Sequence, residues 1–371
     1  MLRKVAASPK MAAGNDPAFH MLEEYVQAQQ ANSGAYLNCG SGHVALAAIR
    51  AGATDIWCSD RRFPYVISAR ELLGAHGSNP QRVLHAHGAL GFPVDAHAVL
   101  ATIRIPTDRI GVQQLIHDAF RLLDDGGVCA LAGGNGEGIK TAVRVLEWAF
   151  GNVSIEMNHS GHRLAVARKH SACMPSQVAE NQWLDPDTFR ALNVNVRGSD
   201  ITIFTRPGVF SWEHLDEATA ILVDVMEVHA GESVLEIGCG AGLPGISAAL
   251  SGASRVLMVD SDSEAIRCVR RTITFHALGN AEVRASDVSS SVGNELFDVV
   301  VSNPPFHHGK SVDLVTPRRF IRESWEHLVP GGRLFIVANR TLPYERVIEE
   351  QFGHVRVVHD GRRFKVLGAT R

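Results

Sequence analysis

The feature that most constrains the fold of this chain is a stretch of sequence that occurs twice. AYLNCGSGHVALAAIRAGATDIWCSD, from Ala35, can be aligned with VLEIGCGAGLPGISAALSGASRVLMVD, from Val234, with almost no adjustment. A second match follows in the same order, between GGVCALAGGN from Gly126 and GGRLFIVANR from Gly331. Because the two matches fall at corresponding places, they favour a duplicated domain over two unrelated α/β domains that share only a strand-turn-helix pattern.

The pattern of apolar residues predicts an α/β fold in both copies. Apolar runs of strand length alternate with helical stretches, which is typical of parallel sheets covered by helices. A chain of 371 residues is also long enough for two domains. We therefore predict a first domain over residues 1–172, a polar linker over 173–190 and a second domain over 191–371. In LNVNVRGSDITIFTRPG, two alternating runs flank Arg197 to Asp200 and predict a hairpin.

Composition favours a cytoplasmic protein without a dominant charge. No apolar run has the length of a membrane helix, and the N-terminal MLRKVAASPKMAAG lacks the apolar core of a secretory signal. The six cysteines form no CxxC pair, which is typical of buried thiols in a reducing compartment. A formal net charge of −3 gives no sign of a polyanionic partner. Three local basic clusters, each more typical of a solvated surface than of a phosphate site, are Arg267/Arg270/Arg271, Arg318/Arg319/Arg322 and Arg362/Arg363/Lys365.

The segment SVLEIGCGAG in the second copy indicates a nucleoside-binding site. Glycines where a strand turns into a helix, here Gly238 and Gly240, let a ligand approach the main chain closely. Asp260 ends the next strand, at the distance expected of a carboxylate that accepts from ribose hydroxyls. Glu236 would repel a pyrophosphate but can pair with an ammonium group, so the pattern favours S-adenosylmethionine over a nicotinamide cofactor.

A further acid follows the third strand of the second copy, in Ser286-Asp287-Val288. Asp287 could accept from the adenine amino group of the same ligand. A helix N-cap would account for this acid nearly as well.

The segment VSNPPF, after the apolar run LFDVVV, indicates a site for an exocyclic amine. The Asn303 side-chain oxygen and the Pro304 carbonyl can accept both hydrogens of such an amine and direct its lone pair at an electrophilic methyl group. The prolines make the turn rigid, and Phe306 offers an apolar face to a base that has left its stack. His307 and His308 could act as bases, although histidines in a polar loop usually do not take part. A plain strand terminator is the alternative interpretation of the turn.

The second half of the chain resembles the bacterial ribosomal RNA guanine-N2 methyltransferases. The resemblance is carried by TRPGVFSWEHLD, VLEIGCGAG, VSNPPFH, GGRLFIVANRTLPYE and GRRFKV. NPPF alone also occurs in enzymes that methylate adenine in DNA or glutamine in release factors, but its combination with GVFS, VAN–LPY and a duplicated first domain is more specific. The resemblance implies an α/β fold of two tandem Rossmann-like class I methyltransferase domains, S-adenosylmethionine as cofactor and S-adenosylhomocysteine as product.

The resemblance also implies two groups of site residues. Direct transfer requires no metal, and no cluster of ligands in the sequence suggests one. The donor site would comprise Glu236, Gly238, Gly240, Asp260, Asp287, Val288, Phe210 and Ser211. The guanine would be received by Asn303, Pro304 and Phe306, with Pro305, His307, Asn339, Pro343 and Tyr344 around it.

The first domain departs from this pattern. Tyr36 stands where Glu236 stands in the second domain, Asn38 replaces the first glycine, and RIPT, with Arg104 first, replaces NPPF. We therefore expect a degenerate domain that supports the second domain or holds RNA rather than catalyses. Weak donor binding in its glycine loop stays open.

The predicted partner is ribosomal RNA, naked or in a ribosomal subunit, bound by a monomer without membrane contact. We expect the first domain and the arginines around Arg318 and Arg362 to form the RNA surface. The alternatives are methylation of adenine N6 or of protein glutamine, and a non-catalytic ribosome assembly factor that binds S-adenosylmethionine.

Overall fold

The computed structural model describes residues 16–170, 180–305 and 315–371. The chain divides into two compact units, Met1–Pro186 and Asp187–Arg371. Of the sequence predictions, those for Phe306, His307 and His308 and for part of the linker over 173–190 lie outside the described residues.

The first unit is built from short strands that alternate with helices. Its helices are α1 (Pro17–Gln29), α2 (His43–Arg50), α3 (Phe63–Gly74), α4 (Arg109–Leu122) and α5 (Ile139–Phe150). Its strands are β1 (Ser33–Leu37), β2 (Asp55–Asp60), β3 (Val83–His85), β4 (Ala98–Arg104), β5 (Leu123–Gly134), β6 (Ser154–His159) and β7 (His162–Arg168).

The second unit repeats this arrangement after a hairpin. The hairpin strands are β8 (Arg190–Val196) and β9 (Ser199–Thr205), and the sheet strands are β10 (Ser233–Ile237), β11 (Arg255–Asp260), β12 (Ala281–Ala285), β13 (Phe297–Ser302), β14 (Leu328–Asn339), β15 (Arg356–Asp360) and β16 (Phe364–Thr370). The helices are α6 (Glu217–Val225), α7 (Leu243–Leu250), α8 (Ser263–Phe275), α9 (Val315–Glu326) and α10 (Tyr344–Phe352).

The two sheets have the same strand order, which confirms the predicted fold class. The order is β3-β2-β1-β4-β5-β7-β6 in the first unit and β12-β11-β10-β13-β14-β16-β15 in the second. The pairs from β12 to β14 are parallel, and β16 is antiparallel to both β14 and β15. The order reverses between β10 and β13, and ligands of such sheets bind beyond the carboxyl ends of the strands at that point.

The central strands of the second unit are buried on both faces. Val234 and Leu235 are neighbours on β10, yet they belong to two different apolar clusters. This is the expected result of alternation along a strand, because helices cover both faces of the sheet. The hairpin prediction is also correct: Arg197 (φ 49°) and Gly198 (φ 83°) turn β8 into antiparallel β9.

The structure also bears on the cysteines and on membrane spans. Five cysteines are buried and unbridged, namely Cys39, Cys58, Cys129, Cys239 and Cys268. Within the described ranges, no helix combines the length and the apolar character that a membrane crossing needs.

Candidate active site

The glycine loop of the second unit is tied to the strand beside it. After β10, Gly238 and Gly240 take positive φ angles of 72° and 53°. The Gly240 N–H donates to Asp260 Oδ2 at 2.8 Å, and the Asp262 N–H donates to Asp260 Oδ1 at 2.9 Å. These bonds hold the Asp260 carboxylate at the end of β11, next to the loop.

Gly240 and Gly242 of the loop have different neighbours. A methyl group placed at Gly240 would contact no described atom within 4 Å, whereas one at Gly242 would lie 2.8 Å from Val269 Cγ2. Gly242 therefore allows close packing of the loop against α8. Gly240 instead leaves open space on the side where a ligand would approach the main chain.

Glu236 is a buried acid below this loop. Its side chain is 3% exposed, and its Oε2 accepts from the Gly245 N–H at 2.8 Å. Burial raises the pKa of Glu236 to about 8, and the nearby Asp260 charge adds to the effect. A nearby cation would stabilise the charged form of such a buried carboxyl group. Sequence reasoning missed Gly245, although a methyl group there would lie 2.7 Å from Glu236 Oε2.

The acid after β12 is held by an arginine that the sequence did not indicate. Asp287 Oδ1 accepts from Arg319 Nη1 at 2.8 Å, and the Asp287 carbonyl accepts from Arg319 Nη2 at 2.9 Å. The next residue, Val288, has a φ of 54°, which is a strained angle for a β-branched residue. Strained backbone angles of this sort are common at functional sites. The two bonds from Arg319 hold this turn beside the carboxyl ends of the strands.

Asn303 follows β13 and is held by Thr219 of α6 and by Asp216, the N-cap of that helix. Its Nδ2 donates to Thr219 Oγ1 at 2.9 Å and to Asp216 Oδ2 at 3.2 Å. The Thr219 hydroxyl itself donates to Asp216 Oδ2 at 3.0 Å. Asn303 Oδ1 is buried and has no hydrogen-bond partner among the described residues.

This network determines which end of the amide faces α6. The carboxylate of Asp216 only accepts, and Thr219 has directed its hydrogen to that carboxylate. Both groups therefore present lone pairs to Asn303, so the amide nitrogen must face them and the oxygen must point elsewhere. Sequence reasoning missed Asp216 and Thr219. Asp216 is the N-cap of α6 and accepts from the Thr219 N–H at 2.8 Å, a local arrangement that carries no sign of a contact with Asn303.

The remaining predicted residues occupy different kinds of position. Pro304 is buried and Pro305 is exposed. Phe210 is 61% exposed, and Ser211 has a φ of 52°. These two lie in the loop between β9 and α6, and no bond among the described residues ties them to the glycine loop.

The contacts of the segment around the end of β14 lie within the second unit. Asn339 Oδ1 accepts from the Thr341 N–H at 3.1 Å and from its hydroxyl at 2.9 Å. Pro343 is exposed and precedes α10. Tyr344 is buried in the apolar core, where its hydroxyl has no partner among the described residues and burial raises its pKa.

The sheet brings most of these residues to one edge. Gly238, Asp260, Asp287, Asn303 and Asn339 follow or end β10, β11, β12, β13 and β14, respectively. Because these strands are parallel, their carboxyl ends meet at the same edge. Within the described part of the chain, no three His, Cys, Asp or Glu side chains are arranged to hold a metal ion.

The first unit keeps the turn but fills the space beside it. The Gly40 N–H donates to Asp60 Oδ2 at 2.8 Å, as in the second unit. A methyl group at Gly40, however, would lie 2.6 Å from the Phe19 ring. Arg104, which ends β4 where Asn303 follows β13, pairs with Asp16 at 2.8 Å and with Glu137 at 2.7 Å.

Comparison with known proteins places these features in a family. Residues 200–368 match the family described as Methyltransferase small domain. A ribosomal RNA small subunit methyltransferase C of Erwinia tasmaniensis is 32% identical over 268 residues, 72% of this chain and 74% of that protein. The protein of the same name from Chromohalobacter salexigens is 43% identical over 176 residues, 46% of this chain and about half (52%) of the relative.

A solved structure is similar over both units. It is described as a T. thermophilus 16S rRNA N2 G1207 methyltransferase in complex with AdoMet and guanosine, and it matches with a TM-score of 0.82 at 26% identity. The match covers 98% of this chain and 94% of that one. The chain belongs to the ribosomal RNA small subunit methyltransferase C family.

Proposed function

We propose that the second unit transfers a methyl group from S-adenosylmethionine to the exocyclic N2 amine of a guanine in small-subunit ribosomal RNA. The observation that carries this proposal is the buried Asn303 Oδ1, which lacks a partner among the described residues while Thr219 and Asp216 hold the amide nitrogen. A buried acceptor of this kind is costly unless a ligand donor reaches it. A similar protein determined with AdoMet and guanosine supports the choice of both ligands.

The residues around the glycine loop fit S-adenosylmethionine. The open space at Gly240 admits a ligand beside the main chain, and Asp260 stands next to it as an acceptor for ribose hydroxyls. The buried carboxyl group of Glu236 suits the ammonium group of the methionine part. Bound S-adenosylmethionine would supply an electrophilic methyl group on a sulfonium sulfur and leave as S-adenosylhomocysteine.

The acceptor residues orient the amine. The lone pair of an exocyclic amine is delocalised into the ring of the base, so the nitrogen needs help to become a nucleophile. Asn303 Oδ1 and the Pro304 carbonyl would accept its two hydrogens and turn the lone pair toward the donor. The proton released after transfer can pass to water, so no histidine is required. Pro305, Phe306 and His307 would flank the base, and Phe210 and Ser211 would close the donor side.

The first unit has a supporting role in this proposal. Phe19 fills the space beside Gly40, and the ion pairs of Arg104 with Asp16 and Glu137 occupy the position that corresponds to Asn303. We infer that this unit binds no donor and acts as a scaffold for the second unit or for RNA. The protein would act as a monomer in the cytoplasm, and light scattering in solution would give a mass near the 40.1 kDa of one chain.

Nucleoside mass spectrometry of both ribosomal RNAs tests the proposed function. Small-subunit RNA from cells that lack the protein should lose N2-methylguanosine, and the wild-type chain should restore it. The Asn303→Ala chain should not restore it, because the amide orients the amine. A non-catalytic assembly factor would not need the amide, so restoration by this variant would favour that alternative. Loss of a methylated adenosine would favour the adenine alternative, and unchanged nucleosides in both RNAs would refute the proposal.

A further inference from the structure

One side of the second unit carries aromatic rings interleaved with arginines. We call this surface the arginine–aromatic strip, and it consists of Phe189, Arg190, Phe204, Arg267, Arg270, Arg271 and Phe275. The residues come from β8, β9 and α8 and from the position before β8.

The rings of the strip contact one another and are flanked by guanidinium groups. The Phe204 ring centroid lies 5.2 Å from that of Phe275 and 6.4 Å from that of Phe189. Arg271 stands over the Phe204 ring at 5.2 Å, and Arg267 stands over the Phe189 ring at 5.5 Å. Phe189, Phe204, Phe275, Arg267 and Arg271 are therefore in contact with one another. Arg270 precedes Arg271 on α8, and Arg190, which follows Phe189, stands over the Trp212 ring at 5.8 Å.

Three of the four arginines of the strip have no acidic partner among the described residues. Arg190, Arg270 and Arg271 are exposed, and they form no ion pair within residues 16–170, 180–305 and 315–371. The acid of α8, Glu264, is buried and pairs with Arg206 and Arg267. The strip thus presents net positive charge on a molecule whose formal net charge is −3.

The arginines of α9 behave differently, although we expected RNA to bind there. Arg318 pairs with Glu350 at 2.7 Å, Arg319 pairs with Asp287 and Glu323, and Arg322 pairs with Glu326 at 3.7 Å. Their charge is largely cancelled by acids of the same unit. The structure therefore favours the strip over α9 as a binding surface for phosphates.

An exposed phenylalanine adds a stacking position to this charged surface. Phe275 is 54% exposed at the end of α8, beside Arg271 one turn earlier. Arginines for phosphates together with exposed rings for bases are the combination that single-stranded nucleic acids require. An acidic protein would use the charges but would have no need of the rings.

We propose that the arginine–aromatic strip docks a single-stranded or looped segment of the ribosomal RNA substrate. Arg190, Arg270 and Arg271 would contact phosphates, and a base would stack on Phe275. One end of the strip lies near the site, because α8 begins three residues after Asp260 and β9 leads into the loop of Phe210, and its exposed residues Arg270, Arg271 and Phe275 lie in the second half of α8, farther from the site. At 1.5 Å per residue, the 13 residues of α8 extend for about 20 Å from the site. The inference rests on ribosomal RNA being the substrate.

Binding of the full chain to naked small-subunit ribosomal RNA, measured at several salt concentrations, tests this surface. The test variant is Arg270→Gln/Arg271→Gln. The control is Arg318→Gln/Arg346→Gln, which removes the same charge from arginines that already pair with Glu350. We expect the test variant to lose roughly tenfold in affinity and its log–log salt slope to shrink by about 1.4, since each single-strand phosphate contact contributes about 0.7. The control should match the wild type.

Further readouts separate the possible failures. Titration with S-adenosylmethionine and thermal denaturation should leave the test variant like the wild type, and Phe275→Ala should weaken RNA binding while its salt slope is unchanged. If the wild type methylates ribosomal RNA but the test variant binds naked RNA with unchanged affinity and slope, the strip is not the docking surface. A defect seen only on assembled subunits would indicate docking to a ribosomal protein and would also overturn the inference. If the wild type methylates no ribosomal RNA, the proposed function itself fails.

Discussion

At the scale of single residues, the site depends on an amide that can point in only one direction. An asparagine side chain can rotate its oxygen and nitrogen into each other's places at little cost unless its neighbours forbid it. Here Asp216 and Thr219 both accept, so the free end of Asn303 is an acceptor. This is the polarity that an amine substrate requires.

Removal of the Asn303 amide should slow the chemical step. For Asn303→Ala we expect the single-turnover rate to fall by about 10²–10³-fold, by analogy with the loss of one donor from an oxyanion hole. Affinity for S-adenosylmethionine should change little, because the amide is assigned to the acceptor. A loss smaller than tenfold in rapid-quench measurements would count against the role.

Thr219 should act through Asn303 rather than on the substrate. Thr219→Val keeps the shape of the side chain but removes the hydroxyl that accepts from the amide, so a fraction of the molecules would present the wrong end of Asn303. We expect kcat to fall by roughly tenfold, the equivalent of one hydrogen bond, with KM nearly unchanged. Thr219→Ser retains the hydroxyl and should recover most of the rate. Equal defects in both variants would indicate a packing role only.

Glu236 should make stability depend on pH in an unusual direction. Its pKa in the folded protein is about 8, above the ordinary value of 4.5, so the folded state holds a proton that the unfolded state has lost between these values. The proton on Glu236 therefore contributes on the order of a few kcal/mol to the free energy of unfolding at low pH, and this contribution is lost as pH rises through this window. Urea denaturation of ligand-free protein between about pH 5 and pH 8 should show this decline in the wild type and not in Glu236→Gln. Parallel declines in both would assign the effect to other groups.

At the scale of elements, we propose that one turn serves both packing and ligand binding. The strand-to-helix turn between β10 and α7 needs Gly242 because α8 passes close by. Gly240 has a positive φ of 53°, and a methyl group there would contact no described atom, so the space beside it is open. The same turn in the first unit is closed by a ring from α1. A preserved backbone turn is therefore not sufficient evidence of a preserved ligand site.

Alanine at these two glycines should separate the two roles. Gly242→Ala brings a methyl group to 2.8 Å from Val269 at a positive φ, so we expect the free energy of unfolding to fall by roughly 2–4 kcal/mol. Gly240→Ala makes no close contact, so only backbone strain lowers its free energy of unfolding, by about 1 kcal/mol. We nevertheless expect it to weaken S-adenosylmethionine binding more than tenfold. Calorimetric titration and denaturation of both variants measure the difference, and similar stability losses would contradict it.

At the scale of the whole molecule, two copies of one architecture have diverged in what fills the pocket. The strand order is identical, and both glycine turns bond to an aspartate at 2.8 Å. The two copies differ at the strand and turn themselves, where Tyr36 and Asn38 replace Glu236 and Gly238, and in side chains from neighbouring elements, such as Phe19 and Arg104. A duplicated fold can thus keep its framework while the side chains beside the turn change.

One chain should therefore bind one S-adenosylmethionine. Calorimetric titration of the wild type is expected to give a stoichiometry of about one, because Phe19 occupies the space that a ligand of the first unit would need. Phe19→Ala should not add a second site, since Arg104 and its two acids remain. A stoichiometry of two in the wild type would refute the assignment of the first unit as a scaffold.

The sequence by itself determined the duplication, the α/β class, the hairpin, the glycine turn and the position of Asn303 after a buried strand. These features depend on interactions between residues close together in the chain, whose periodicity and turn chemistry are visible in the letters. Tertiary structure alone decided that Asp216 and Thr219, 87 and 84 positions away, orient Asn303. It also decided that Arg319 holds Asp287, that Phe19 fills the first pocket and that α9 has little free charge. Such contacts arise only when distant elements pack together, and no local pattern records which side chains then meet.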